Sequence, residues 1–229
     1  MSGSSLARAA VYYVPEPADP LWHAGTTWLG RDPETGATRD RPPGLKEADL
    51  TREPAAYGFH ATLKPPFRLS SVSTWGSLQE AVATLAAGIA PFALPAFAVA
   101  DLAGFLALRE TSPSPALQAL ADLSVAALDP FRMPPDAAEL QKRRGAGLPR
   151  AEEAMLLRWG YPHVFGAWRF HMTLTRRLDS EEHARIAPLA EAHFATALAH
   201  PRRVESLALF TQSGPGKSFL LVERFPLLG

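Results

Sequence analysis

The chain has no cysteine among its 229 residues, which excludes disulfides, thiolate metal ligands and a cysteine nucleophile together. It has no net charge either: 23 basic residues balance 23 acidic ones, so the electrostatic footprint that holds long nucleic acid is missing. No apolar run approaches the length of a membrane span, and the opening Met1-Ser2-Gly3-Ser4-Ser5 lacks the basic-then-apolar form of a signal peptide. Spacings such as His-x-x-x-His or His-x-His-x-Asp, which gather ligands for a catalytic metal, are absent from the sequence too. These absences predict a cytoplasmic monomer with no membrane partner, a disordered start and a small-molecule substrate. What is present is apolar material for a large core, 47% of the residues, and 22 prolines that stiffen loops such as Pro42-Pro43, Pro65-Pro66 and Pro134-Pro135.

One pattern occurs twice. Phe59-His60-Ala61-Thr62-Leu63 returns as Phe170-His171-Met172-Thr173-Leu174. With average composition, two of seven histidines share Phe before, Thr two after and Leu three after by chance roughly once in a few hundred chains. Each copy reads as a strand, in which His and Thr two apart point to one face while Phe, the middle residue and Leu point to the other, into a core. An imidazole exchanges a proton near neutral pH and a hydroxyl holds an oxyanion, so two such pairs suit opposite sides of one phosphate.

The duplication extends past the pentapeptides. After His60 the strand continues toward Leu69, then Ser77-Leu78-Gln79-Glu80 has the form of a capping box opening a helix, with Leu78, Val82, Leu85 and Ile89 at helical spacing. Two apolar runs, 97–102 and 105–109, follow as a tight pair of strands. After His171 the order returns: a break at Asp179-Ser180, a helix with Ile186, Leu189, Ala190, His193, Phe194, Ala197 and Leu198 on one face, then strands over 204–211 and 218–224 around Gly214-Pro215-Gly216. Pro188 should kink or split that helix. A strand over 9–14 completes one of the sheets. Between the copies, Ser114-Pro115 and Gly160 bound a helical insert. The expected architecture is α+β: a single bilobal domain over 1–229, with a first-motif lobe at 50–110, the insert at 114–160 and a second-motif lobe at 165–229. Lys142-Arg143-Arg144 with Arg150, Arg176-Arg177 and Arg202-Arg203 read as solvated surface, although the glycine-containing stretch 141–150 is also a candidate lid over an anionic substrate.

Paired His-x-Thr strands in a pseudo-symmetric chain resemble the 2H phosphoesterase superfamily, which includes bacterial RNA 2',3'-cyclic phosphodiesterases. More narrowly, Leu21-Trp22 with Trp28-Leu29-Gly30, Tyr57-Gly58-Phe59-His60-Ala61-Thr62-Leu63-Lys64, Leu157-Arg158-Trp159-Gly160-Tyr161-Pro162 and Arg224-Phe225-Pro226-Leu227 resemble its phosphonate-metabolism branch, whose members tend to be encoded beside carbon–phosphorus lyase genes. The resemblance implies two pseudo-symmetric lobes, each an antiparallel sheet with outer helices, flanking a central cleft. It implies a hydrolase acting on a cyclic phosphodiester of a small phosphorylated sugar or nucleotide, such as 5-phosphoribosyl 1,2-cyclic phosphate, without metal or other cofactor. His60 and His171 become acid and base, with His171 the base by analogy with relatives that yield a 2'-phosphate; Thr62 and Thr173 become donors to the phosphate.

Three further residues are candidates for substrate contact. Lys64 shares the strand parity of His60 and Thr62 and would add positive charge to the cleft, where the second copy has Thr175. Arg169, like Tyr57, shares the parity of its neighbouring histidine. Tyr161 is placed to stack on a base or ribose, or else to pack half-buried. The alternative to an enzyme is a non-catalytic binder of nucleotides or RNA ends on the same fold, with a structural partner protein as a third reading.

Overall fold

A computed structural model describes residues 7–45, 47–145 and 147–229. The expectation for Met1–Ser5 lies outside the described residues. In chain order the elements are β1 (Arg8–Tyr13), α1 (Pro20–Leu29), α2 (Ala48–Tyr57), β2 (Ala61–Phe67), α3 (Trp75–Ala87), β3 (Phe92–Ala93), β4 (Phe97–Leu102), β5 (Phe105–Glu110), α4 (Pro115–Ala127), α5 (Ala137–Arg144), α6 (Arg150–Trp159), β6 (Met172–Arg177), α7 (Ser180–Leu198), β7 (Arg203–Val204), β8 (Ser206–Gln212) and β9 (Leu220–Pro226). Single 3-10 turns lie at Asp129–Phe131 and Phe165–Ala167.

Alternation decides which side chains enter the core. Phe59, Ala61 and Leu63 of the first copy, and Phe170, Met172 and Leu174 of the second, are all buried in one apolar cluster. Phe59 fits because Gly25 of α1 has no side chain: a Cβ there would lie 2.1 Å from the phenyl ring. β1 is apolar on both faces because it sits inside the sheet, Ala9, Val11 and Tyr13 facing the main cluster and Ala10, Tyr12 and Val14 a second, smaller one. α3 packs on β8 and β9, α4 on β2, α7 on β4, and α1 on α7.

The antiparallel sheet has seven strands in the order β4-β5-β6-β2-β1-β8-β9, and β3 pairs with β7 separately. The fold is α+β, as the sequence predicts, but the two sheets of the lobes run into one another. β2 and β6, the motif strands, meet at a single registered pair, Ala61 with Met172. The lobes are also interleaved and do not form contiguous segments: hairpin β4–β5, which follows the first motif, lies beside β6 of the second, and hairpin β8–β9, which follows the second, lies beside β1 next to β2. Strand 9–14 is accordingly central to the first-motif sheet.

Several local expectations are corrected. The first-copy helix starts three residues earlier than predicted, because Thr74 and Ser77 form the capping box in place of Ser77 and Glu80. α7 runs unbroken through Pro188, since an Asp179–Glu182 capping box fixes its start and burial of Ile186, Ala190, Phe194 and Ala197 holds its face against the core, which outweighs one missing backbone donor. The stretch 141–150 is helical at its two ends, Gln141–Arg144 ending α5 and Arg150 opening α6; Ala146 lies outside the described residues. Arg202 is buried, not solvated: its side chain binds the Ala197 carbonyl at 2.7 Å and Asp19 at 3.3 Å. Among the described residues no helix is long and apolar enough to cross a membrane.

Candidate active site

The chain enters β2 through Gly58, whose φ of 85° and closeness to Pro33, 2.7 Å from where a Cβ would stand, restrict the position to glycine. This turn aims the Gly58 carbonyl at His60, which donates from Nδ1 at 2.8 Å and so leaves Nε2 with its lone pair. Nε2 lies 3.2 Å from the Thr62 hydroxyl. Tyr12 of β1 stacks on the imidazole at 3.8 Å between ring centres, and the Tyr57 ring lies at 6.2 Å. Burial among these rings pushes the His60 pKa down to about 4; the Gly58 bond works against the shift, and His171 adds to it.

The second copy repeats the device. His171 donates from Nδ1 to the Arg169 carbonyl at 2.8 Å, and burial, with Arg109 and His163, lowers its pKa as well. In an antiparallel pair the register that sets Ala61 opposite Met172 brings His60 toward Thr173 and Thr62 toward His171, about a local twofold through the central pair. Since Ala61 and Met172 face the core, the two histidines and two threonines face the other way.

On that side opens a cleft of about 430 Å³, lined by His60, Thr62 and Thr173, with Tyr12, Tyr57 and Tyr161 as aromatic walls. His171 is not part of that lining. It is joined to it by Phe105, a lining residue whose ring meets the imidazole edge-on at 6.1 Å. Arg8, Arg143, Arg176 and Arg177 bring positive charge, against Glu53 as the carboxylate of the lining. Arg176, Arg177 and, of its cluster, Arg143 therefore line the cleft in addition to meeting solvent.

Tyr161 lines the cleft, under the guanidinium of Arg143 at 4.9 Å. Lys64 does not. Tyr12 pairs with Thr62 but Val11 with Lys64, so Leu63 is an extra residue, and the bulge turns Lys64 to the face opposite Thr62. Its ammonium is buried beneath α4, donating to the Val125 carbonyl at 3.0 Å with Asp129 at 3.8 Å, and burial pushes its pKa down to about 8. Arg169 is exposed and turned back onto the Gly166 and Trp168 carbonyls; its link to the site is its own carbonyl on His171. Thr175, the counterpart of Lys64, lines the cleft but is spent on the Leu106 amide at 3.0 Å. Arg8 and Tyr12 were not anticipated, because nothing in β1 marks them before its place in the sheet is known. Among the described residues no three His, Asp or Glu side chains gather as a metal site requires.

The α+β fold thus carries two His-x-Thr strands related by a local twofold, with His60, Thr62 and Thr173 lining one cleft. The chain belongs to the family described as "Protein of unknown function (DUF1045)", whose model matches residues 62–220. Among curated proteins it is similar to a ribose 1,5-bisphosphate phosphokinase PhnN of Janthinobacterium sp. (strain Marseille), 36% identical over 238 residues, covering 100% of this chain and 52% of that protein. It is likewise similar to the protein of that name from Laribacter hongkongensis (strain HLHK9), 40% identical over 216 residues, covering 93% and 50%. The chain thus spans about half the length of the curated relatives it matches. Solved structures similar to it include E. coli LigT complexed with 3'-AMP, at 16% identity and a TM-score of 0.44 over 98% of this chain and 99% of that one. A phosphoesterase is similar at 14% identity and a TM-score of 0.45, over 97% and 99%. Gly216-Lys217-Ser218 matches the end of a Gly-x-x-x-x-Gly-Lys-Ser phosphate loop, but Thr211 stands where its first glycine belongs and the segment leads into β9, not a helix.

Proposed function

We propose that the chain is a 2H-type phosphoesterase that hydrolyses a cyclic phosphodiester of a small ribose phosphate or nucleotide. The observation that carries this reading is the Ala61–Met172 pair, which turns two imidazoles and two hydroxyls to one face about a local twofold. In the reaction one neutral imidazole takes a proton from water as its oxygen bonds to phosphorus. The opposite imidazolium protonates the sugar oxygen as the phosphorus–oxygen bond of the ring breaks. Each transfer is worth about a hundredfold to ten-thousandfold. Thr62 and Thr173 donate to the non-bridging oxygens, Thr62 giving up its contact with Nε2 of His60 to do so. The strong downward shift at His60 favours it as the base and His171 as the acid, the reverse of the order the resemblance implies. An anionic phosphate between the rings raises both pKa values and supplies the imidazolium. The scheme uses no metal.

The relatives' name supports a ribose substrate. Opening a 5-phosphoribosyl 1,2-cyclic phosphate at the O2 bond leaves phosphate on C1 and C5, and the product is ribose 1,5-bisphosphate, the compound in the name of the Janthinobacterium and Laribacter phosphokinases. A hydrolase of this kind fits a role in phosphonate breakdown, upstream of such a kinase. The kinase activity itself we assign to the half of those proteins that this chain does not match. The test is phosphorus NMR of the purified protein with chelator, against ribose 1,2-cyclic phosphates and nucleoside 2',3'-cyclic phosphates. Ring opening in either series supports the reading; binding without turnover of either leaves a non-catalytic binder and overturns it.

A further inference from the structure

The arginines of the cleft differ in how they are held. Arg176 is locked by Glu182 at 2.8 Å and Asp49 at 3.0 Å, but among the described residues neither Arg8 nor Arg143 forms an ion pair. Among the described residues Arg8 donates its Nε alone, to Gln212 at 2.8 Å, and lies over Phe219 at 5.3 Å; Arg143 lies over Tyr161. Both line the same cleft, and the charge of Arg8 is felt at Arg143. Glu139, the acid nearest Arg143 in electrostatic effect, is held by Arg68 at 2.7 Å. Two guanidinium groups that line one partly enclosed cleft, with Glu53 as its carboxylate but no ion pair of their own among the described residues, leave positive charge there for an anion to meet.

A phenol completes the arrangement. Tyr12 is fully buried, its ring is stacked on His60, and among the described residues its hydroxyl has no hydrogen-bond partner. Tyr12 lines the cleft together with Arg8, Arg143 and Tyr161. A buried O–H without an acceptor is unfavourable, and a ligand oxygen that accepts from it offsets that loss.

We infer that Arg8, Arg143 and the Tyr12 hydroxyl form a clamp for a second phosphate, a monoester on the same sugar whose cyclic diester lies at His60. The inference rests on the proposed hydrolysis and deepens it. The clamp selects sugars carrying both a cyclic phosphodiester and a phosphate monoester over cyclic nucleotides with a free 5'-hydroxyl. Guanidinium forks recognise a phosphate dianion with paired hydrogen bonds, and a hydroxyl cannot replace it.

The clamp is testable apart from turnover. Titration calorimetry with ribose and with ribose 5-phosphate should show the phosphorylated sugar binding at least about tenfold more tightly, and Arg8→Met and Arg143→Met should each weaken it by about tenfold or more. Melting curves verify that the variants fold, and the wild-type comparison of the two sugars needs no variant. In the kinetic arm, kcat/KM for ribose 1,2-cyclic phosphate with its 5-phosphate should exceed that without it, and the ratio should collapse in both variants. If ribose and ribose 5-phosphate bind equally, or both variants bind ribose 5-phosphate like the wild type, the clamp is wrong. Selective ribose 5-phosphate binding without hydrolysis of any cyclic phosphate would support the clamp and sink the hydrolase reading instead.

Discussion

The indole N–H of Trp168, just before the second motif, donates to the carbonyl of Thr62 in the first at 2.8 Å. Trp28 of α1 does the same for Leu174 of the second motif, at 3.0 Å. Because β2 and β6 share a single registered pair, these indoles fix the motif strands where a longer ladder would otherwise do so. Trp168→Phe keeps an aromatic body and loses the donor. Since small misplacements of catalytic groups are expensive, kcat should fall about tenfold to a hundredfold with KM little changed, as steady-state kinetics would register. A normal kcat would show that the indole does not position Thr62.

His60→Ala and His171→Ala should each lower turnover by several orders of magnitude with the fold intact by circular dichroism. Near-normal turnover in either variant on the true substrate would end the two-histidine mechanism.

The His60 shift also predicts how stability responds to acid. Its folded pKa, about 4, lies below the ordinary value of 6.5, so between those values the unfolded chain binds more protons. The contribution of His60 is therefore fully present above pH 6.5 and is lost as pH falls toward 4. Denaturant melts of wild type and His60→Gln across pH 7 to 4 should converge toward the acid end. Parallel curves would show that His60 is not held neutral in the fold.

Thr62→Val and Thr173→Val remove one donor each from a charge that grows on phosphate, and each should slow turnover by roughly a hundredfold to a thousandfold. The positions of the pH limbs should hold. Limbs that move while the maximal rate stays constant would mean that the hydroxyls tune the histidines and do not hold substrate.

Lys64→Met separates strand parity from the bulge. With the ammonium buried under α4, turnover should stay within a few-fold of wild type. Stability should respond instead, since the Val125 carbonyl loses its donor, a change of about 1–3 kcal/mol readable in urea melts. A loss of turnover comparable to that of the threonine variants would return Lys64 to the site.

The difference between Thr62 and Lys64 shows what a sequence conveys here. Period-two alternation places His60, Thr62, His171 and Thr173 on one face and their apolar neighbours in the core, because it depends only on local backbone geometry. A bulge inverts that alternation, and it arises from pairing with β1, more than 50 residues away in sequence, so Lys64 follows no local rule. Helix ends with strong caps, Ser114 and Gly160, were legible for the same local reason. α1 and α2 were not, since their burial depends on the strands they cover. Arg8 and Arg143 come from the first strand and the insert, and only the assembled sheet brings them to one cleft.

The exchanged hairpins have a consequence for how the two histidine sites persist. A fragment ending after β5 would carry the hairpin that flanks β6 but not β6 itself, and the remaining fragment would carry β8–β9 without the β1 strand they lean on. Neither copy of the duplication is then a self-sufficient unit, and each repeat depends on strands inherited from the other. The strands that carry the two imidazoles therefore belong to one continuous sheet, and each copy is expected to lose support when the other is damaged.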